Sequence, residues 1–139
     1  MAYDPTNIFA RILRGESPCH KVYEDDATIA FMDIMPQSEG HTLVLPKATG
    51  ENIFDLPPDA LAATIRTVQR IAGAVKKAFD PPGVMIAQLN GTAAGQSVFH
   101  LHFHVVPRYA GKELRLHAGE MADPAQLVEH AARIRAHLE

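Results

Sequence analysis

The stretch Phe99-His100-Leu101-His102-Phe103-His104-Val105-Val106-Pro107 constrains this chain more than any other. Histidine alternates strictly with apolar residues, the period of a strand whose side chains point to opposite faces at every second position. One face then carries Phe99, Leu101, Phe103 and Val105, and the other His100, His102 and His104. The apolar face needs a second layer to cover it. Pro107 cannot donate to a ladder, so the strand is predicted to end there or to run along an edge.

Three readings of the histidine row compete. The first is decoration of a solvent-facing strand, which the register of three histidines on so apolar a strand argues against. The second is a metal site. Side chains at i and i+2 lie about 6.5–7 Å apart and two imidazoles can converge on one ion, but i and i+4 lie about 13 Å apart. A single ion would need a ligand from elsewhere, with His41 the candidate. The third is nucleophilic catalysis, one imidazole attacking while the others orient it or handle charge. Directly upstream, Asn90-Gly91-Thr92-Ala93-Ala94-Gly95-Gln96-Ser97 is a small-residue loop. Its glycines permit positive φ and close backbone approach, so successive N–H groups can cradle an anion, with Gln96 and Ser97 as neutral donors beside them. A phosphate loop feeding a histidine strand favours the third reading.

The residues Asn90-Gly91 and Gly95-Gln96-Ser97-Val98-Phe99-His100-Leu101-His102-Phe103-His104-Val105-Val106 resemble the signature of the histidine triad (HIT) family, His-φ-His-φ-His-φ-φ with φ apolar. The similarity continues upstream through Ile8-Phe9, Arg14-Gly15-Glu16, Val22-Tyr23-Glu24-Asp25-Asp26, Ala30-Phe31-Met32-Asp33-Ile34, Pro36-Gln37 and Gly40-His41-Thr42-Leu43-Val44-Leu45-Pro46-Lys47, and covers about residues 6–109. The resemblance implies a nucleotide-binding hydrolase or transferase, a nucleotidyl-histidine intermediate and a homodimer. It makes His102 the nucleophile and His41 the fourth histidine, supporting the central imidazole. His104 and His41 would hold nonbridging oxygens, and His100 would be supportive. Ser97 and Gln96 would sit near the leaving group, Asn90 and Gly95 would shape the phosphate loop, Asp33 would grip the ribose hydroxyls and Ile34 would line the base pocket. A purine nucleotide conjugate is the expected substrate. Asn90 and Ser97 lean toward the phosphoramidase branch, whereas Val106-Pro107-Arg108 resembles the dinucleoside polyphosphate branch. A nucleotide-binding interaction module with little turnover is the non-enzymatic alternative.

One departure bears on metal content. Some bacterial members carry structural zinc through an amino-terminal Cys-x-x-Cys, a histidine after the Pro-Lys and the first histidine of the triad. Here Asn7, Ala10 and Thr49 fill those positions, so no zinc and no other cofactor is expected.

The rest of the chain reads as a single α+β domain over 1–139, an antiparallel sheet of about five strands with helices packed on it. A short helix is predicted from Ile8 to Leu13 with Thr6 as N-cap, strands over 22–24, 28–33, 40–46 and 84–89, and a final helix over 124–138. The longest helix opens at Asp55-Leu56-Pro57-Pro58 and presents Leu61, Ile65, Val68, Ala72, Val75 and Phe79 as its apolar stripe. A net charge of −3 gives no basic footprint for nucleic acid, and no apolar run reaches membrane-spanning length. Cys19 is the sole cysteine, and no signal peptide is evident, so a cytoplasmic enzyme is expected.

Overall fold

The computed structural model describes residues 3–111 and 120–138. The elements run α1 (Ile8–Leu13), β1 (Lys21–Glu24), β2 (Thr28–Met32), β3 (Thr42–Pro46), α2 (Pro58–Phe79), β4 (Gly83–Gln88), β5 (Phe103–Arg108) and α3 (Pro124–Arg135). This is the predicted order, with a short 3₁₀ turn at Thr92–Ala94 added between β4 and β5. The strands form one antiparallel sheet in the order β1-β2-β3-β5-β4, an α+β architecture.

The sheet separates two apolar clusters. On one side, Val68, Ile71 and Val75 of α2 and Leu127, Ala131 and Ile134 of α3 meet Ala30, Met32, Val44, Phe103 and Val105. On the other, Phe9 of α1 meets Ile29, Phe31, Leu43 and Leu45. With both faces covered, β2 and β3 are buried at every position, which is why their sequences are apolar runs and do not alternate.

Three local expectations are corrected. The cap of α1 is Asn7, whose side-chain oxygen accepts from the Ala10 N–H, while Thr6 turns back to bond the Asp4 carboxylate. The buried face of α2 comprises Thr64, Thr67, Val68, Ile71, Ala74 and Val75, and Ile65 faces outward. Both threonines are satisfied in the core, Thr64 by the Ala60 carbonyl and Thr67 by the Thr28 hydroxyl at 2.7 Å, so an apolar count alone misplaces the face. Finally, β5 starts at Phe103 and continues through Pro107 to Arg108. The Pro107 carbonyl accepts from the Ser38 hydroxyl in the β2–β3 connection, beyond the last β3 pairing at Val105. The side of the strand that lacks an N–H therefore faces a loop and costs no ladder bond. Of the polar connection read over 108–112, Arg108 belongs to β5 and Lys112 lies outside the described residues.

Candidate active site

The backbone entering β5 is irregular from Ser97 to His102, and this breaks the predicted row. His104 lies on the α1 side of the sheet, opposite Leu43 on β3. His100 does not join it. Its ring is wholly buried, with Nε2 at 2.8 Å from the Pro46 carbonyl and Nδ1 at 2.6 Å from the Tyr3 hydroxyl. The three histidines thus do not share one wall, because the extended alternation needed to aim them together begins only at Phe103.

His102 sits with its ring edge-on to Phe9, 4.9 Å between centroids, and its Nδ1 is 2.8 Å from the His100 carbonyl. A carbonyl only accepts, so Nδ1 carries the hydrogen and Nε2 carries the lone pair. Burial pushes the His102 pKa down to about 4, against the favourable pull of that carbonyl and with help from the nearby His104. At neutral pH the ring is neutral and its lone pair intact.

A second chain of bonds fixes His104. The Gln37 N–H donates to His41 Nδ1 at 2.9 Å, which leaves the His41 hydrogen on Nε2. His41 Nε2 lies 3.0 Å from His104 Nδ1 and donates to it, so the His104 hydrogen is on its own Nε2. His41 is 2% exposed, and burial, then the neighbouring His104 and His102, push its pKa down to about 3. Both nitrogens of His41 are engaged within the protein. It supports His104, not the central His102 as expected.

Asp33 follows β2 directly, its Oδ1 accepting from the Met35 N–H and its Oδ2 3.5 Å from His41 Nε2. Among the described residues, Asp33, His41 and His104 are the group close enough to share a metal ion. The donor chemistry does not fit one. His41 would have to bind through Nε2, the atom on which the Gln37 amide holds the hydrogen, and would therefore have to become an imidazolate.

These side chains open onto a cavity of about 550 Å³. Ile8, Phe9 and Ile12 of α1 and Phe31 and Leu43 of the sheet supply its apolar wall, with Ile34 at the rim. Asp33, Gly95, Ser97, His102 and His104 bring polarity to the other end. Asn90 and Gln96 are off the wall. Gln96 is 3% exposed, and its amide donates to the Glu51 and Val98 carbonyls and accepts from the Gly91 N–H. Asn90 accepts from the Ile53 N–H and pairs with the Gln88 amide. Both residues build the loop, bounded by Gly91 at φ 90° and Gly95 at φ 101°, conformations L side chains rarely adopt. Gln37, Phe9 and Cys19, to which the sequence reading assigns no role in the site, also line the cavity. Phe9 and Gln37 lie in the Ile8-Phe9 and Pro36-Gln37 stretches that carry the resemblance, whereas Cys19 stands outside it.

The HIT-domain family model matches residues 14–111, the part of the chain that holds β1 through β5. The chain belongs to the HIT family. Among solved structures, a HIT-like protein of Bartonella henselae, described as involved in cell-cycle regulation, superposes with a TM-score of 0.92 at 50% identity, covering 99% of this chain and 100% of that one. A hypothetical histidine triad nucleotide-binding protein of Sulfolobus tokodaii superposes at 0.85 with 30% identity, covering 93% and 89%. The adenylylsulfatase HINT3 of Arabidopsis thaliana is 38% identical over 133 residues, 91% of this chain and 68% of HINT3. This HIT protein sets a fixed, neutral imidazole beside an oriented second imidazole at the polar end of an apolar pocket. That pairing can deliver a lone pair to an electrophile and a hydrogen bond to the charge that develops on it.

Proposed function

We propose that this HIT protein is a nucleotide-binding hydrolase that acts at the α-phosphate of a nucleoside phosphoramidate. The observation that carries the reading is the His100 carbonyl held 2.8 Å from His102 Nδ1, which commits the lone pair to Nε2 on a cavity wall. Nε2 forms a bond to phosphorus as the bond from phosphorus to the leaving nitrogen breaks, and that nitrogen takes a proton from solvent at the cavity mouth and departs as the amine. Water then cleaves the phosphorus–His102 bond, releases the nucleoside monophosphate and restores the ring. His104 Nε2–H donates to a nonbridging oxygen, and the loop around Gly95 and Ser97 holds the phosphoryl group. The apolar wall takes a purine base, with Ile34 beside it, and Asp33 accepts from the ribose hydroxyls. The likeness to an adenylylsulfatase supports an adenylyl group joined to a small leaving group.

His102→Asn is expected to abolish turnover and leave nucleoside monophosphate binding within about tenfold, since the lost interaction belongs to the transition state. Mass spectrometry of trapped nucleotidyl-protein should find the label on His102; a label elsewhere overturns the assignment. Rates on an adenosine phosphoramidate should exceed those on diadenosine polyphosphates measured side by side. Prolonged chelation should leave both unchanged. We also place the enzyme in a homodimer, since β4 is an edge strand with Ile86 43% exposed, and light scattering should give twice the chain mass. Among the described residues no helix is long and apolar enough to cross a membrane, and the unpaired Cys19 suits the cytoplasm.

A further inference from the structure

We infer that Tyr3 is a positioning residue for His102, acting through His100; this rests on His102 being the nucleophile. The stretch 99–102 has no ladder to hold it, because pairing of β5 with both β3 and β4 begins at Phe103. Yet the carbonyl that fixes the His102 tautomer belongs to His100, inside that stretch. Its position is set by three other bonds. The Leu101 N–H donates to the Gly50 carbonyl at 2.9 Å, His100 Nε2–H to the Pro46 carbonyl at 2.8 Å, and the Tyr3 hydroxyl to His100 Nδ1 at 2.6 Å.

The direction of the last bond follows from the second. The Pro46 carbonyl only accepts, so the His100 hydrogen is on Nε2 and its Nδ1 is an acceptor that Tyr3 O–H must fill. The Tyr3 ring stands edge-on to the imidazole, centroids 5.6 Å apart at 72°, so contact and hydrogen bond hold the same ring. Tyr3 does not line the cavity. It touches no substrate and reaches the chemistry only through the backbone it steadies. Without the hydroxyl, a wholly buried Nδ1 loses its donor, residue 100 loosens and its carbonyl no longer enforces one tautomer on His102.

The experiment compares Tyr3→Phe, which keeps the ring, with Tyr3→Leu, which loses both ring and hydroxyl. Ring nitrogen NMR of His102 is read alongside kcat, KM and Tm. In the wild type, His102 should show a single tautomer with the hydrogen on Nδ1. In Tyr3→Phe the tautomers should mix, kcat should fall about three- to tenfold with KM nearly unchanged, and Tm should drop by a few degrees for the lost buried bond. Tyr3→Leu should do the same and lower Tm further, by the lost ring contact. An unchanged His102 tautomer and kcat in Tyr3→Phe would overturn the inference, as would damage confined to Tyr3→Leu, which would reduce Tyr3 to packing. The tautomer readout needs no substrate. A nucleotidyl label that missed His102 would therefore remove the nucleophile while leaving the Tyr3–His100 tether measurable.

Discussion

The proposed function needs a neutral His102 ring at neutral pH, and burial, which lowers its pKa, supplies that without a base to take the proton. Its pKa of about 4 predicts that kcat/KM stays level from pH 7 down past 6 and falls only as the ring protonates near pH 4. A limb near 6.5 would mean that the reacting imidazole sits in water. Asp33 invites a different measurement. One oxygen already accepts from the Met35 N–H and the other lies near His41, so a purely structural role competes with ribose binding. Asp33→Asn replaces a charged acceptor with a neutral one and should weaken ribonucleotide binding about tenfold or more. A 2′-deoxyribonucleotide has lost part of that grip beforehand and should suffer less. Equal penalties on both ligands, with a lowered Tm, would leave Asp33 as a turn residue. Four dissociation constants decide it.

At the scale of elements, the loop from Asn90 to Ser97 shows both what the sequence discloses and where it stops. Gly91 and Gly95 announce backbone shapes only glycine adopts easily, and the loop's place beside the histidines was legible from order alone. The inward turn of Gln96 was not legible. An amide beside a serine reads equally well as a ligand donor or as a brace, and only the positions of the Glu51, Val98 and Gly91 backbone groups choose the brace. Gln96→Ala should therefore act as loss of the loop's shape. It removes three bonds at a buried position, so kcat/KM should drop at least about tenfold and Tm by several degrees, with nucleoside binding less affected than phosphate binding. If Gln96 touched the leaving group, Tm would stay put. The same limit explains His100. Alternation correctly places Phe103, His104 and Val105, which are paired on both sides, but period two has no meaning before the ladder starts. The element order was legible throughout because caps, prolines and apolar runs are local. The face of α2 was not, since Thr64 and Thr67 become core residues only through partners that the chain brings from elsewhere.

For the whole molecule, the site's chemistry and the fold's stability respond to acid over different ranges. His41, His100 and His102 are all buried, and burial lowers each pKa, to about 3 for His41 and about 4 for His102. In the unfolded chain an imidazole titrates near 6.5. As pH falls below that value, the unfolded state binds protons that the folded state refuses, so the stability these groups contribute is complete above about 6.5 and drains toward their folded values. Each can shift the folding equilibrium by at most about tenfold per pH unit. The carboxylates held low by hydrogen bonds, among them Glu24 and Asp25, follow the same sign but only below the ordinary carboxylate range. The window from pH 6.5 to 5 thus isolates the histidines. Urea midpoints measured across it should fall steadily with pH, while the activity of the fraction still folded holds until the ring of His102 protonates. His102→Asn should flatten the slope by removing one proton from the count. Midpoints that stay level from 7.5 to 5 would mean these imidazoles protonate within the folded protein, and the neutral nucleophile would go with them.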